Sequence, residues 1–254
     1  MPLYLASLNS GSNGNCYYIG NETEAVLIDA GISCRETERR MNRLELSIRN
    51  VRAIFITHEH TDHTRGVEVL SRKHGIPVYI TAATHRSSRL MLDPELVKPF
   101  TSGKALRIGS LCVNPFPKQH DASEPHSFTV SAHDVTAGVF TDIGSSCGHV
   151  VHHFSQCHAA FLEANYDEKM LENGRYPLAL KRRIRGLKGH LSNDQALELF
   201  TTHRLSRMQI LILSHLSAEN NHPQLVYNIF HRHANGIKIV VASRHTETDV
   251  YCVS

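Results

Sequence analysis

The segment Ala53-Ile-Phe-Ile-Thr57 is a run of strand-forming residues that ends directly in His58-Glu-His60-Thr-Asp62-His63. A strand alternates its side chains between two faces, so its terminus, together with the turn that follows, is where several polar groups can be aimed at one point. Four metal-competent side chains in that position predict a metal-holding loop at the edge of a sheet. A surface loop that is histidine-rich by accident has no reason to keep the spacing H-x-H-x-D-H. The chain also carries 19 histidines, against 9 Phe and 8 Tyr, an excess that points to metal binding or acid–base work.

A length of 254 residues allows one substantial core, and 41% hydrophobic with 20% charged residues excludes disordered, collagen-like and coiled-coil classes. A net charge of +3 predicts no polyanion-binding surface by itself, so any case for nucleic acid has to be local. The six cysteines form no C-x-x-C pair and are expected to be reduced, mostly buried thiols. The first fifteen residues lack a basic stretch followed by an apolar one, and no apolar run reaches the length of a membrane span, which predicts a cytoplasmic protein.

Apolar runs punctuated by Gly, Pro and Asn predict strands at Tyr4–Leu8, Cys16–Ile19, Ala25–Asp29, Ala53–Thr57, Val78–Thr81, Leu111–Phe116, Phe128–Ser131, Val135–Thr141, Ala159–Glu163, Ile210–Ser214, Ile237–Ala242 and Val250–Val253. Helical patterning predicts Arg35–Leu44, Thr64–His74, Thr84–Leu92, Asn193–Thr202 and Pro223–Ala234. No linker or charge block divides the chain, so residues 1–254 are expected to form one domain.

The motif at His58, His60, Asp62 and His63, preceded by Val26-Leu-Ile-Asp29-Ala-Gly31, resembles the metallo-β-lactamase fold. The superfamily's later motifs follow in order: His120 in Lys118-Gln-His-Asp-Ala-Ser, Asp142 in Phe140-Thr-Asp-Ile-Gly, and His215 in Leu213-Ser-His-Leu-Ser. The resemblance implies an α+β, four-layered αββα sandwich with two divalent ions, zinc or manganese with iron(II) as a further option. It implies that His58, His60 and His120 hold one ion, that Asp62, His63 and His215 hold the other, and that Asp142 bridges them. Asp29 would orient the ligand loop without coordinating. The β-lactamase branch has Cys where the bridging carboxylate stands here, and Cys147 lies outside the motif; the flavodiiron branch has Glu where this chain has His60. Antibiotic hydrolysis and redox chemistry are therefore disfavoured.

The segment Arg182-Arg-Ile-Arg-Gly-Leu-Lys-Gly-His190-Leu-Ser resembles the extra histidine motif of the phosphodiesterase branch. It makes His190 a candidate general acid, with Asp194 as a partner for its tautomer. The alternative role for His190 is capping the helix that starts near Ser192. The basic run Lys181–Arg185 with Lys188 offers Arg182, Arg183, Arg185 and Lys188 to phosphates, or else forms a solvated face. Ser10-Gly-Ser-Asn-Gly-Asn15 could present Ser12, Asn13 and Asn15 to a phosphate, or form a hairpin turn that needs positive φ. Four histidines near Cys147 and Cys157 (His149, His152, His153 and His158) have no ligand spacing, and His126 is placed near the mouth of the site.

Taken with Leu162-Glu-Ala-Asn165-Tyr-Asp and Asn173-Gly-Arg-Tyr-Pro, these motifs are similar to the YycJ/WalJ-like group of bacterial metallo-hydrolases, over nearly the whole chain. That resemblance implies a 5'-to-3' DNA exonuclease in which a hydroxide held by two ions attacks phosphorus, Asp62 and Asp142 shape the metal pair, and Asn165 meets substrate. The group often has His where this chain has Tyr166, which leaves the substrate contact of that segment open. DNA is the expected partner. An RNA phosphodiesterase of the tRNase Z kind, a thiolester hydrolase of the glyoxalase II kind and an inert nucleic-acid-binding subunit are the rivals. Metal identity, sequence preference and oligomeric state stay open.

Overall fold

The computed structural model describes residues 1–254. The chain builds one sheet, then a second. The first takes β1 (Leu3–Asn9), β2 (Cys16–Gly20), β3 (Ala25–Ile28), β4 (Val51–Phe55), β5 (Val78–Ile80) and β6 (Val97–Pro99). The second takes β7 (Leu106–Ile108), β8 (Leu111–Pro117), β9 (His126–Ala132), β10 (Val135–Phe140), β11 (Ala159–Glu163), β12 (Ile210–Ser214) and β13 (Lys238–Val241), after which β14 (Tyr251–Val253) returns to pair with β1. Strand orders are β14-β1-β2-β3-β4-β5-β6 and β13-β12-β11-β10-β9-β8-β7. In each sheet one half is antiparallel and the other, β3 to β6 or β10 to β13, is parallel.

Parallel neighbours need crossovers, and helices supply most of them. They are α1 (Cys34–Arg43), α2 (Thr61–Thr64), α3 (Val67–His74), α4 (Ala82–Ser88), α5 (Gly148–Phe154), α6 (Glu168–Asn173), α7 (Leu178–Arg185), α8 (Asn193–His203) and α9 (Pro223–His231). The alternation along each strand then feeds two apolar layers at once. Val26 and Ile28 of β3 point between the sheets with Phe161 of β11, while Ala25 and Leu27 point outward with Met41 of α1 and Leu70 of α3. Ala160 and Leu162 of β11 likewise face Phe154, Phe200 and Phe230 of α5, α8 and α9. These three clusters are the inner and the two outer contacts of the αββα sandwich expected from the sequence.

The differences from expectation are local. The helix expected over Thr64–His74 is broken at Gly66, whose N–H donates to the Ala30 carbonyl instead of continuing the ladder. The helix expected from Thr84 starts at Ala82 behind the Thr81 cap and stops at Arg89, which has a φ of 57°. β6 and β7 were not expected: each is a three-residue edge strand, too short for alternation to register, and β6 contains Pro99. Short α5, α6 and α7 were also missed. Ser10–Asn15 is the hairpin turn, with φ of 135° at Gly11 and 152° at Gly14. All six thiols are free, but only Cys16, Cys34 and Cys157 are buried, fewer than expected.

Gly31 sits where the first strand pair meets the ligand loop, and a Cβ there would collide with the Asp62 carbonyl. Gly31→Ala is expected to lower stability by about 2 to 3 kcal/mol and the melting temperature by roughly 5 to 10 °C. An unchanged thermal unfolding curve would show that the loop can move aside.

Candidate metal centre

Strand ends from both sheets build the site. Asp29 follows β3, His58 follows β4 after a short extension, Asp142 follows β10 and His215 follows β12, while His120 lies in the loop after β8. Asp29, Asp142 and His215 have φ of 61°, 54° and 56°. This left-handed turn is tolerated by Asp and His better than by branched residues, and it swings the side chain sharply off the strand direction. Ligand-competent atoms of His58, His60 and His120 lie within 4.8 Å of one another, as do those of Asp62, His63 and His215. Asp142 groups with His58 and His63 on one side and with Glu163, His190 and His215 on the other. The seven expected ligands are thus brought together, with Asp142 between the two triads.

The hydrogen bonds aim the rings. His63 Nδ1 lies 2.6 Å from Asp29 Oδ2, and Thr57 Oγ1 donates to the same carboxylate oxygen at 2.8 Å while meeting His58 Nδ1 at 2.8 Å. The Thr57 N–H donates to Asp29 Oδ1. His120 Nδ1 lies 3.1 Å from the Gly189 carbonyl, and His215 Nδ1 lies 2.8 Å from Glu163 Oε1. With Nδ1 held by an acceptor on four rings, Nε2 is the nitrogen left to coordinate on each, and on His120 and His215 it has no hydrogen-bond partner at all. His60 is the exception: its Nδ1 faces His58 Nε2 at 3.0 Å.

The donor set fits divalent cations. His120 Nε2, His215 Nε2 and Asp142 Oδ2 are buried and make no hydrogen bond, a costly condition unless something else binds there. Asp29, Asp142 and Glu163 are fully or almost fully buried, Asp62 is largely so, and the nearby buried ammonium is Lys118, which donates to the Thr141 carbonyl at 2.7 Å. One ammonium cannot balance four carboxylates in a poorly solvated site, whereas two divalent ions can.

Glu163 is the residue that sequence reasoning missed. Its Oε1 accepts from Asp142 N at 3.2 Å and meets His190 Nδ1 at 2.9 Å and His215 Nδ1 at 2.8 Å; its Oε2 accepts from Ile143 N at 2.8 Å and Leu191 N at 3.1 Å. Burial works to raise this carboxyl, but His190 and His215 beside it hold it down at about 2. The partner of His190 is therefore Glu163, not Asp194, which is exposed on the first turn of α8. Nor does His190 cap α8: Ser192 does, in a capping box with Gln195. The ring of His190 lies 5.3 Å from His120 and 5.4 Å from His215, and its side chain keeps 19% exposure, so it edges the centre within reach of a ligand.

The residues expected to meet substrate divide. Asn15 is fully buried, and its side-chain amide reaches Asp62 Oδ2 at 3.3 Å and His63 Nε2 at 3.1 Å, so it positions the ligand loop. Asn165 is also buried and donates to the His215 carbonyl at 2.8 Å, which holds the ligand's backbone. Ser12 and Asn13 are exposed, with the Asn13 amide donating to the Arg244 carbonyl. Arg185 on α7 is tied to Glu168 and Glu172, and Arg183 to Asp121, so of the four cations offered to phosphates exposed Arg182 and, beyond the helix, exposed Lys188 remain unpaired. Tyr166 is buried, packed with Leu171 and Ile184. His126 is buried edge-on to Phe100, and His153 stacks on Phe116.

Residues 10–153 match the metallo-beta-lactamase superfamily. The chain belongs to that superfamily, and with its His and Asp cluster it is a metal-dependent hydrolase. More particularly, it is 34% identical over 230 residues to exodeoxyribonuclease YycJ of Bacillus anthracis, covering 89% of this chain and 86% of that one. It is 32% identical over 225 residues to exodeoxyribonuclease WalJ of Streptococcus pneumoniae, covering 87% and 84%. The metallo-beta-lactamase fold protein YhfI from Bacillus subtilis shares the fold with a TM-score of 0.76 at 12% identity, over 99% of this chain and 100% of that one.

Two outcomes follow from the electrostatics. Burial pushes His63 and His215 down, but Asp142 with Asp29 and Asp62 raises the first well above its usual value, and Asp142, Asp62 and Glu163 raise the second to about 10. Both rings are then protonated at pH 7 in the metal-free protein, and metal loading should release those protons. Calorimetric titration with zinc in buffers of different ionisation heat checks this, and a binding heat independent of buffer would contradict it. Glu163→Gln should lower metal affinity or turnover about 10- to 100-fold, measured by metal content per chain and phosphodiester hydrolysis.

Proposed function

We propose that this chain is a metal-dependent phosphodiesterase that removes nucleotides from DNA in the 5'-to-3' direction. The observation that carries the proposal is His190, held by Glu163 at the rim of the metal-ligand cluster, in a chain 34% identical along most of its length to a protein named as an exodeoxyribonuclease. A thiolester hydrolase needs no acid at that position, because a thiolate departs unprotonated more readily than an alkoxide. His58, His60 and His120 would hold one ion, Asp62, His63 and His215 the other, with Asp142 shared; zinc and manganese both suit this donor set, and iron(II) is a further candidate. When bound, two such ions supply charge for the phosphate oxygens and an acidified water near neutral pH.

The chain's own groups do the rest. Glu163 holds Nδ1 of His190, leaving Nε2 to donate a proton to the departing oxygen. Asp29 and Asn15 keep His63 and Asp62 from turning away, so the donors are organised before substrate arrives. Exposed Arg182 and Lys188, unpaired cations in the segment that leads to His190, would attract the polyanion. No helix is long and apolar enough to cross a membrane. Work on cellular DNA and six free thiols favour the cytoplasm.

The test uses protein loaded with manganese or zinc on end-labelled DNA and RNA of one sequence. Stepwise loss of DNA from the 5' end is expected. His190→Ala should lower the rate about 100-fold or more, and Asp142→Asn should remove activity while the fold persists by circular dichroism. Cleavage of RNA alone would move the protein to RNA processing, and thiolester hydrolysis without nucleic-acid cleavage would sink the proposal.

A further inference from the structure

Beside His215, on the side away from Asp142, a cavity of about 380 Å³ opens between the ends of β12 and β13 and the hairpin turn after β1. Its wall includes Ser10, Ser217, Asn221, Ser243 and Arg244, with no Asp or Glu, and His222 and His245 stand exposed at its edge. The volume is within the range of small-ligand sites. Ser10 Oγ accepts the His215 N–H at 2.7 Å, so the cavity shares a wall with the metal-ligand cluster.

Arg244 is half-buried and has no carboxylate partner. Its Nη2 donates to the Leu216 carbonyl at 2.6 Å, and the rest of the guanidinium makes no hydrogen bond. The backbone that carries it is fixed from four sides. Ser10 N donates to the Ser243 carbonyl at 3.1 Å, Asn13 Nδ2 to the Arg244 carbonyl at 2.9 Å, buried Arg40 Nη2 to the His245 carbonyl at 3.0 Å, and Thr248 N to the Ser7 carbonyl at 3.0 Å. A cation held this firmly, with spare donors and no counter-charge in the cavity, is built for an anion with several acceptor oxygens.

We propose that this cavity takes the terminal nucleotide of the strand and that Arg244 reads its 5'-phosphate, a phosphate monoester. This deepens the DNA phosphodiesterase reading and rests on it. The strand order supports the placement: Asp142 follows β10, Glu163 with His190 above it ends β11, His215 follows β12 and Arg244 follows β13. In 5'-to-3' cleavage, a water oxygen bonds to phosphorus and gives a proton to solvent, the bond from phosphorus to the 3' oxygen breaks, and that oxygen keeps the electron pair and takes the proton from His190, which regains one from solvent. The 3' oxygen belongs to the terminal nucleotide, and from His190, whose ring lies 5.4 Å from that of His215, this nucleotide can extend past His215 into the cavity. The nucleotide leaves with a 3'-hydroxyl, and the shortened strand carries a new 5'-phosphate. Each turnover thus regenerates the group that Arg244 recognises.

The experiment compares kcat/KM of the manganese-loaded enzyme on one DNA sequence bearing a 5'-phosphate or a 5'-hydroxyl, and measures thymidine 5'-monophosphate binding by calorimetry. The expected wild-type preference for the phosphorylated end is about 10- to 100-fold, the worth of a charge-assisted hydrogen bond. Arg244→Gln should bring the ratio close to one and weaken nucleotide binding by a similar factor, and Arg244→Lys should keep part of both. Equal rates on the two ends by the wild type, with DNA still degraded, would overturn this inference and leave the phosphodiesterase reading standing. A preference for 3'-phosphorylated ends would also overturn it. No cleavage of either DNA would instead remove the reading on which it rests. The wild-type comparison stands without any variant, so a misfolded Arg244→Gln protein would not rescue the proposal.

Discussion

The buried carboxylate of Glu163 is the interaction on which the second half of the centre depends. A carboxylate out of water is costly unless its lone pairs are filled, and here five donors fill them. They come from three separate segments: the turn after β10 that carries Asp142, the approach to α8 that carries His190, and the loop after β12 that carries His215. Because each donor is lost if its segment moves, one side chain at the end of β11 makes three loops cooperative. This also explains why Asp142 and His215 persist with positive φ. The strain is offset by hydrogen bonds from the Asp142 N–H to Glu163 and from the His215 N–H to Ser10.

The first sheet repeats the device with different residues. Asp29, at the end of β3, accepts from the Thr57 backbone and hydroxyl and holds His63, while the hydroxyl in turn meets His58. Each sheet therefore contributes one buried carboxylate that touches no other acid and serves to aim histidine rings. The core between the sheets, with Phe55, Phe128 and Phe161 packed across it, sets the distance between those two anchors. Changes in that packing would be felt at the centre, since close-packed interiors transmit strain instead of absorbing it.

The sequence revealed most where chemistry and period coincide. The unbroken apolar runs of β3 and β11 expose their double-sided burial, and H-x-H-x-D-H announces itself because its residues are neighbours in the chain. Glu163 does not, because it is the last residue of an apolar strand and its five partners come from residues 142 to 215. Asn15 and Asn165 looked like ligands for phosphate, since a polar side chain in a motif carries no mark of whether it faces substrate or backbone. The basic run on α7 was overread for a related reason. Arg183 and Arg185 have their charge countered by Asp121, Glu168 and Glu172, acids outside the basic run that only the fold places beside them.

Electrostatics also orders events at the centre. Asp29, Asp62, Asp142 and Glu163 still outnumber Lys118 and the raised imidazoles of His63 and His215, so the metal-free floor stays negative, and Lys118 is committed to the Thr141 carbonyl. A phosphate entering that floor without cations would meet repulsion at short range in a poorly screened environment. The unpaired cations stand at the periphery, Arg182 and Lys188 on the side of α7 and Arg244 beyond His215. They can draw a polyanion to the rim but cannot neutralise the floor. On the proposed function, divalent ions completing this donor set would also turn a floor that repels phosphate into one that attracts it.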